Sequence, residues 1–157
     1  MRHLDRRAML GALAGGATAA VLPWSASAGT PAEFAMFRDP GCGCCLVWAK
    51  RVEAAFGKTL RKIDSPDMAA VKRTHGVPED LRSCHTALIG GIVVEGHVPP
   101  EDIKKAIARR SGDLAGLAVP GMPAGSPGMD VGHDQRDAYE VIAFSRGGKR
   151  AVFARHG

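Results

Sequence analysis

Three cysteines fall within five residues, Gly41-Cys42-Gly43-Cys44-Cys45, and a fourth, Cys84, stands in Ser83-Cys84-His85-Thr86. Thiolates serve as nucleophiles, redox centres and soft metal ligands, so chemistry is to be sought here first. Cys42 and Cys45 form a C-x-x-C pair at the start of a helical pattern. The free N–H groups and the dipole of a helix N-terminus stabilise thiolate there, which serves a redox dithiol and a metal site alike. Two structural disulfides fit poorly. Cys84 can join only one of the three clustered cysteines, and the remaining pair would close a very short loop that restrains the unfolded chain little. Cys44 separates the other readings. A thiol–disulfide oxidoreductase needs only Cys42 and Cys45, whereas a soft-metal site gains a ligand from Cys44. Thiols so crowded suit several bridged Cu(I) ions better than one tetrahedral ion, so copper is the expected ligand. A structural zinc or iron–sulfur protein is a further alternative.

Methionine adds to the copper reading. Met122 and Met129 both lie in Gly121-Met122-Pro123-Ala124-Gly125-Ser126-Pro127-Gly128-Met129. A Gly/Pro loop offers no regular apolar face to bury them, and thioether favours Cu(I) over zinc. His85, beside Cys84, is a candidate ligand or thiolate neighbour. His97 stands either as a ligand or as a hydrogen-bonded structural residue. His75, His133 and His156 read as surface residues, and Trp48 reads as core.

The elements that must position these residues follow from periodicity. Residues 33–38 alternate polar and apolar types and predict a strand, broken by Asp39-Pro40-Gly41. Cys45, Trp48, Val52, Ala55 and Phe56 share one stripe of a helix over 44–56, ended by Gly57. A strand is expected at 59–63 and a helix at 66–74. Strands at 86–89 and 92–98 flank Gly90-Gly91. A helix over 100–110 opens on Glu101 and Asp102 and closes on bases. Residues 112–132 show no period and read as one long loop, functional by its length. A hairpin of 139–144 and 150–154 turns at Gly147-Gly148. The order is that of a single α/β domain.

Residues 1–28 read as a cleaved export signal: Arg2, Arg6 and Arg7, an uncharged run from Ala8 to Leu22, then Ala26-Ser27-Ala28. Arg6-Arg7 suits the twin-arginine route, with an ordinary secretory signal as the alternative. The run is too short for a comfortable membrane span, so no stable membrane insertion is expected after cleavage. Residues 29–157 then form the metal-binding domain, in the periplasm. The chain carries 21 basic and 16 acidic residues. That excess is modest and no aromatic platform accompanies it, so nucleic acid is not an expected partner.

Three motifs in order, RDPGCGCCLVW, SCHTALIGGIVVEGHVP and GLAVPGMPAGSPGMD, resemble the periplasmic metal-binding proteins of the CopG copper-resistance type. The resemblance spans residues 34–153. It implies a thioredoxin-like domain with an added Gly/Pro/Met-rich loop and C-terminal hairpin, a role in copper resistance, and Cu(I) binding with electron exchange as an adjunct. Carried over by motif, Cys42, Cys44, Cys45 and Cys84 are the implied copper ligands, with His85, Met122 and Met129 as further carry-overs. Copper ions, singly or as a multinuclear group, are the implied partner, beside other periplasmic copper-handling proteins. Thioredoxin-like folds also present a loop, usually cis-Pro then Thr, against the C-x-x-C. Cys84-His85-Thr86 occupies that place without a proline, which implies that the Cys84 sulfur lies near those of Cys42 and Cys45.

Overall fold

The consecutive residues Ala35 and Met36 are both buried, on opposite faces of β1 (Phe34–Arg38), and the chain then turns directly into α1 (Gly43–Phe56). The structure, a computed structural model, describes residues 34–109, 112–132 and 134–157. The expected export signal, Arg110 and His133 lie outside the described residues. After α1 come β2 (Arg61–Asp64), α2 (Met68–Thr74), a 3-10 turn (Glu79–Leu81), β3 (His85–Ile89), β4 (Ile92–Glu95) and α3 (Pro100–Ala108). β5 (Leu114–Ala118), β6 (Tyr139–Ser145) and β7 (Arg150–His156) complete the chain.

Local chemistry sets the helix limits. Gly57 closes α1 in the left-handed region with φ 62°. The Asp67 carboxylate accepts the Ala70 N–H at 2.8 Å and starts α2. Pro100, Glu101 and Asp102 open α3, where a missing N–H is harmless and acids suit the dipole.

The strands form one seven-stranded mixed sheet in the order β2-β1-β3-β4-β5-β6-β7. β1 and β2 are parallel across α1, and β4 and β5 are parallel across α3. The β1–β3, β3–β4, β5–β6 and β6–β7 pairs are antiparallel. α1 and α3 pack together over one face, where Met36, Trp48, Ala87, Ile89, Val94, Ile103 and Leu117 form the main core. Full burial of each such large apolar side chain stabilises by roughly 1.5–3 kcal/mol. α2 packs against β1 and β3. Side chains alternate across a strand, so Thr86 and Glu95 face α2 while His85 and Val94 face α1. Among the described residues no helix is long and apolar enough to cross a membrane.

Two sequence expectations are corrected. Residues 112–132 are not one loop, because Leu114–Ala118 is an inner strand between β4 and β6. Its LAGLA sequence carries little strand propensity. Tertiary packing selects the glycine: a Cβ at Gly116 would stand 2.6 Å from Phe144 Cζ and clash with the Val93 carbonyl. The second correction concerns 92–98, where β4 ends at Glu95. Gly96, at φ 70°, turns the chain and donates its N–H to the His85 carbonyl at 2.9 Å. That turn carries His97 out of the strand and into the core.

Candidate metal centre

Between β1 and α1 the backbone is held by Arg38 and Asp39. The Asp39 carboxylate accepts the Gly41 N–H at 2.8 Å, and the Asp39 carbonyl accepts the Cys42 N–H at 3.0 Å. Arg38 Nη1 donates to the carbonyls of Asp39, Pro40 and Cys42 at 3.2, 3.1 and 2.9 Å, while its Nε pairs with Asp64 at 2.9 Å. This makes Cys42 the N-cap of α1 and puts Cys44 and Cys45 in its first turn. Cys45 faces the core beside Trp48, and Cys44 is half-buried.

Cys42 and Cys45 are joined in a disulfide, whereas Cys44 and Cys84 are free. The bridged residues are three positions apart, so the bond is a poor staple and the core does the holding. In this form two of the four expected thiolates are tied to each other. Cys44 Sγ still lies 3.4 Å from Cys42 Sγ.

Cys84 precedes β3 and meets the cluster across the sheet's end. The sulfurs of Cys42, Cys44, Cys45 and Cys84 all lie within 4.8 Å of one another, in the position implied for Cys84. A buried network fixes the Cys84 loop. Lys72 Nζ, on α2, donates to Glu95 Oε1 at 2.6 Å and to Thr86 Oγ1 at 3.2 Å. The Glu95 carboxylate also accepts the Ser83 N–H at 2.6 Å and the Thr86 hydroxyl at 2.7 Å. Burial pushes the Glu95 carboxyl up, against the pull of Lys72.

Two buried imidazoles adjoin Cys84. His97 Nε2 is 3.0 Å from its sulfur and His85 Nδ1 is 3.3 Å away. His97 Nδ1 lies 2.8 Å from the Pro127 carbonyl, which can only accept, so Nδ1 carries the proton and Nε2 presents a lone pair. Burial lowers the pKa of both rings, for His85 well below 6.5 and reinforced by His97 and Lys72. Burial, with the neighbouring Cys44, pushes the Cys84 thiol up from 9.0 to about 12. These shifts agree with each other: Cys84 donates its S–H to a neutral His97. The His85 ring packs tilted by 47° on Trp48 with centroids 4.3 Å apart, and Trp48 Nε1 donates to the Val98 carbonyl at 2.9 Å.

The Gly/Pro/Met loop straps this arrangement. Arg51 on α1 binds Asp130 through two hydrogen bonds of 2.6 and 2.7 Å. Gly128, at φ 95°, lies so close that a Cβ would be 2.9 Å from the Cys44 carbonyl oxygen and 3.1 Å from Trp48 N. At the other end Gly121 bridges Ser83, whose hydroxyl donates to the Gly121 carbonyl. Met122 follows that bridge with 53% of its surface exposed, and half-buried Met129 follows Gly128.

The structure thus gathers all four cysteines with His85, and adds His97, which sequence left undecided. The Gly96 turn before it was the available signal. Two histidines read as surface residues are in fact engaged. His75 packs on Phe37 with ring centroids 5.3 Å apart, and His156 Nε2 lies 2.6 Å from the buried Asp102 carboxylate.

A family described as a protein of unknown function, DUF411, matches residues 81–129. That span takes in Cys84, His85, His97, Met122 and Met129. Two solved structures are similar over most of the chain, titled copper resistance protein copG, Form 2 and Form 1. Each is 48% identical and covers 78% of this chain. The matches cover 96% and 94% of those chains, with TM-scores of 0.72 and 0.71. No curated protein matches the chain.

Proposed function

Because the chain belongs to the CopG copper-resistance protein family, we propose that it is a periplasmic protein that binds copper as Cu(I) on Cys42, Cys44, Cys45 and Cys84. One observation carries this reading: four sulfurs from two chain segments within 4.8 Å of one another. Thiolates so close can each bridge two ions, and soft sulfur favours Cu(I). The reading extends to more than one copper per chain.

Loading needs the Cys42–Cys45 disulfide opened. An external dithiol supplies two electrons and two protons, leaving two thiols here and becoming a disulfide itself. Copper then displaces thiol protons. The Cys84 proton is held tightly by burial, so uptake at that ligand strengthens as pH rises. His85, Met122 and Met129 supplement the set, the methionines from both ends of the loop. The β2-β1-β3-β4 order, with a C-x-x-C opening α1, supports a thioredoxin-like classification. Residues 1–28 supply export, by the twin-arginine route.

The disulfide favours a second reading, thiol–disulfide exchange by Cys42 and Cys45. Anaerobic Cu(I) titration of reduced protein against a competing chelator separates the two, with wild type beside Cys44→Ser. Uptake of more than one copper, reduced in the variant, is expected. Negligible uptake, with dithiol exchange intact in Cys44→Ser, overturns the copper reading.

A further inference from the structure

The four-sulfur group is not the only donor set at this centre. The ligand atoms of Cys45, Cys84, His85 and His97 also lie within 4.8 Å of one another. We infer that these four residues form an inner site for one borderline divalent cation, with Zn2+ as its representative. The site lies beneath the all-thiolate group and shares Cys45 and Cys84 with it. It does not rest on the copper reading, since neither Cys42 nor Cys44 takes part.

Two observations carry the inference. The first is spacing. Ligand atoms around a tetrahedral zinc stand roughly 3.3–3.8 Å apart. Cys84 Sγ already lies 3.0 Å from His97 Nε2 and 3.3 Å from His85 Nδ1, so small side-chain rotations admit an ion. The second is orientation. The Pro127 carbonyl holds the proton of His97 on Nδ1 and aims the Nε2 lone pair at the thiols. A backbone carbonyl in this role is the usual outer support of a metal-binding imidazole.

The donor types set the preference. Two thiolates and two imidazoles, with Cys45, His85 and His97 buried and Cys84 half-buried, are a tetrahedral S2N2 set, which suits zinc or cobalt better than it suits Cu(I) clusters. Entry needs Cys45 free of Cys42, so the site exists only in the reduced protein. Cys45 and Cys84 serve both sets, so a bound divalent ion competes with the four-thiolate group.

The test uses a Cys42→Ser/Cys44→Ser variant, which retains the inner ligands and cannot form the disulfide. Reduced and anaerobic, it is titrated with CoCl2 and then with ZnCl2. One cobalt per chain is expected, with the intense visible bands of tetrahedral S2N2 coordination, and zinc should displace it. Adding His85→Gln or His97→Gln should weaken cobalt by more than the roughly 10–100-fold that loss of an outer partner costs. Thermal melts without metal show whether these variants fold. If they do not, the cadmium-113 shift of the double variant reports its ligands with both rings in place. No cobalt uptake by the double variant, bands unchanged in a folded histidine variant, or a cadmium shift without two sulfurs and two nitrogens overturns the inner site. Wild-type Cu(I) uptake is measured separately. Its failure beside intact cobalt binding removes only the copper reading, and the reverse pattern removes only the inner site.

Discussion

Replacing Lys72 by Met tests the network beneath Cys84. The Lys72 and Glu95 side chains are 7% and 0% exposed and meet at 2.6 Å. Removing the cation leaves Glu95 a buried carboxylate held only by Ser83 N–H and the Thr86 hydroxyl. Breaking one side of such a pair costs about 3–5 kcal/mol. A domain of this size has about 5–15 kcal/mol in all, so the loss is large. At an m-value of roughly 2 kcal/mol per molar urea, the unfolding midpoint falls by about 2 M. The pH dependence has a definite sign. Burial already raises the Glu95 pKa above 4.5, and loss of Lys72 raises it further. A raised acid contributes stability below its unfolded pKa and loses it as pH rises through the folded value. The variant is therefore weakest at neutral pH and closes on wild type as pH falls toward 4.5. Lys72→Met/Glu95→Gln removes the buried charge, its amide oxygen still accepts the Ser83 N–H and its amide nitrogen can donate to the Thr86 hydroxyl oxygen, so it should recover more than half of the loss. Urea melts at several pH values decide it. A loss under about 1 kcal/mol, as for an exposed pair, or one that is the same at every pH, refutes the reasoning.

With the Cys42–Cys45 disulfide intact, Cys84 should alkylate far more slowly than an ordinary thiol. A pKa of about 12 in place of 9.0 leaves roughly a thousandth of the thiolate at neutral pH. Its rate should keep climbing with pH until near 12, and mass spectrometry showing Cys84 labelled at an ordinary thiol rate would count against its burial. Gly128→Ala forces a side chain onto φ 95° and against the Cys44 carbonyl. It should cost about 1–3 kcal/mol and admit protease into the loop, whereas an unchanged melt would mean that the loop does not press on α1. Arg51→Ala removes the bidentate bond to Asp130, but Arg51 is 39% exposed. The stability loss should therefore stay near 0.5–1 kcal/mol, while proteolysis at residues 119–138 quickens. Resistance equal to wild type would show the loop held by other contacts.

The cysteine cluster was legible because its chemistry is local: three thiols in five residues at a strand–helix junction need no distant partner to be noticed. α1, α3 and the final hairpin were legible for the same reason, since period, caps and turn glycines are local signals. β5 was not, because LAGLA is a strand only where Gly116 lets the backbone lie between Val93 and the Phe144 ring. His97 was undecided because its role depends on a Gly96 turn and on a carbonyl thirty residues away. Nothing local marks Lys72 or Glu95, and only the packing of α2 on the sheet brings them together in the core. The residue types of the centre were thus determined by the sequence alone. Tertiary structure decided which of them share a donor set, because metal ligation depends on a few ångströms between side chains set by burial and close approach across the sheet.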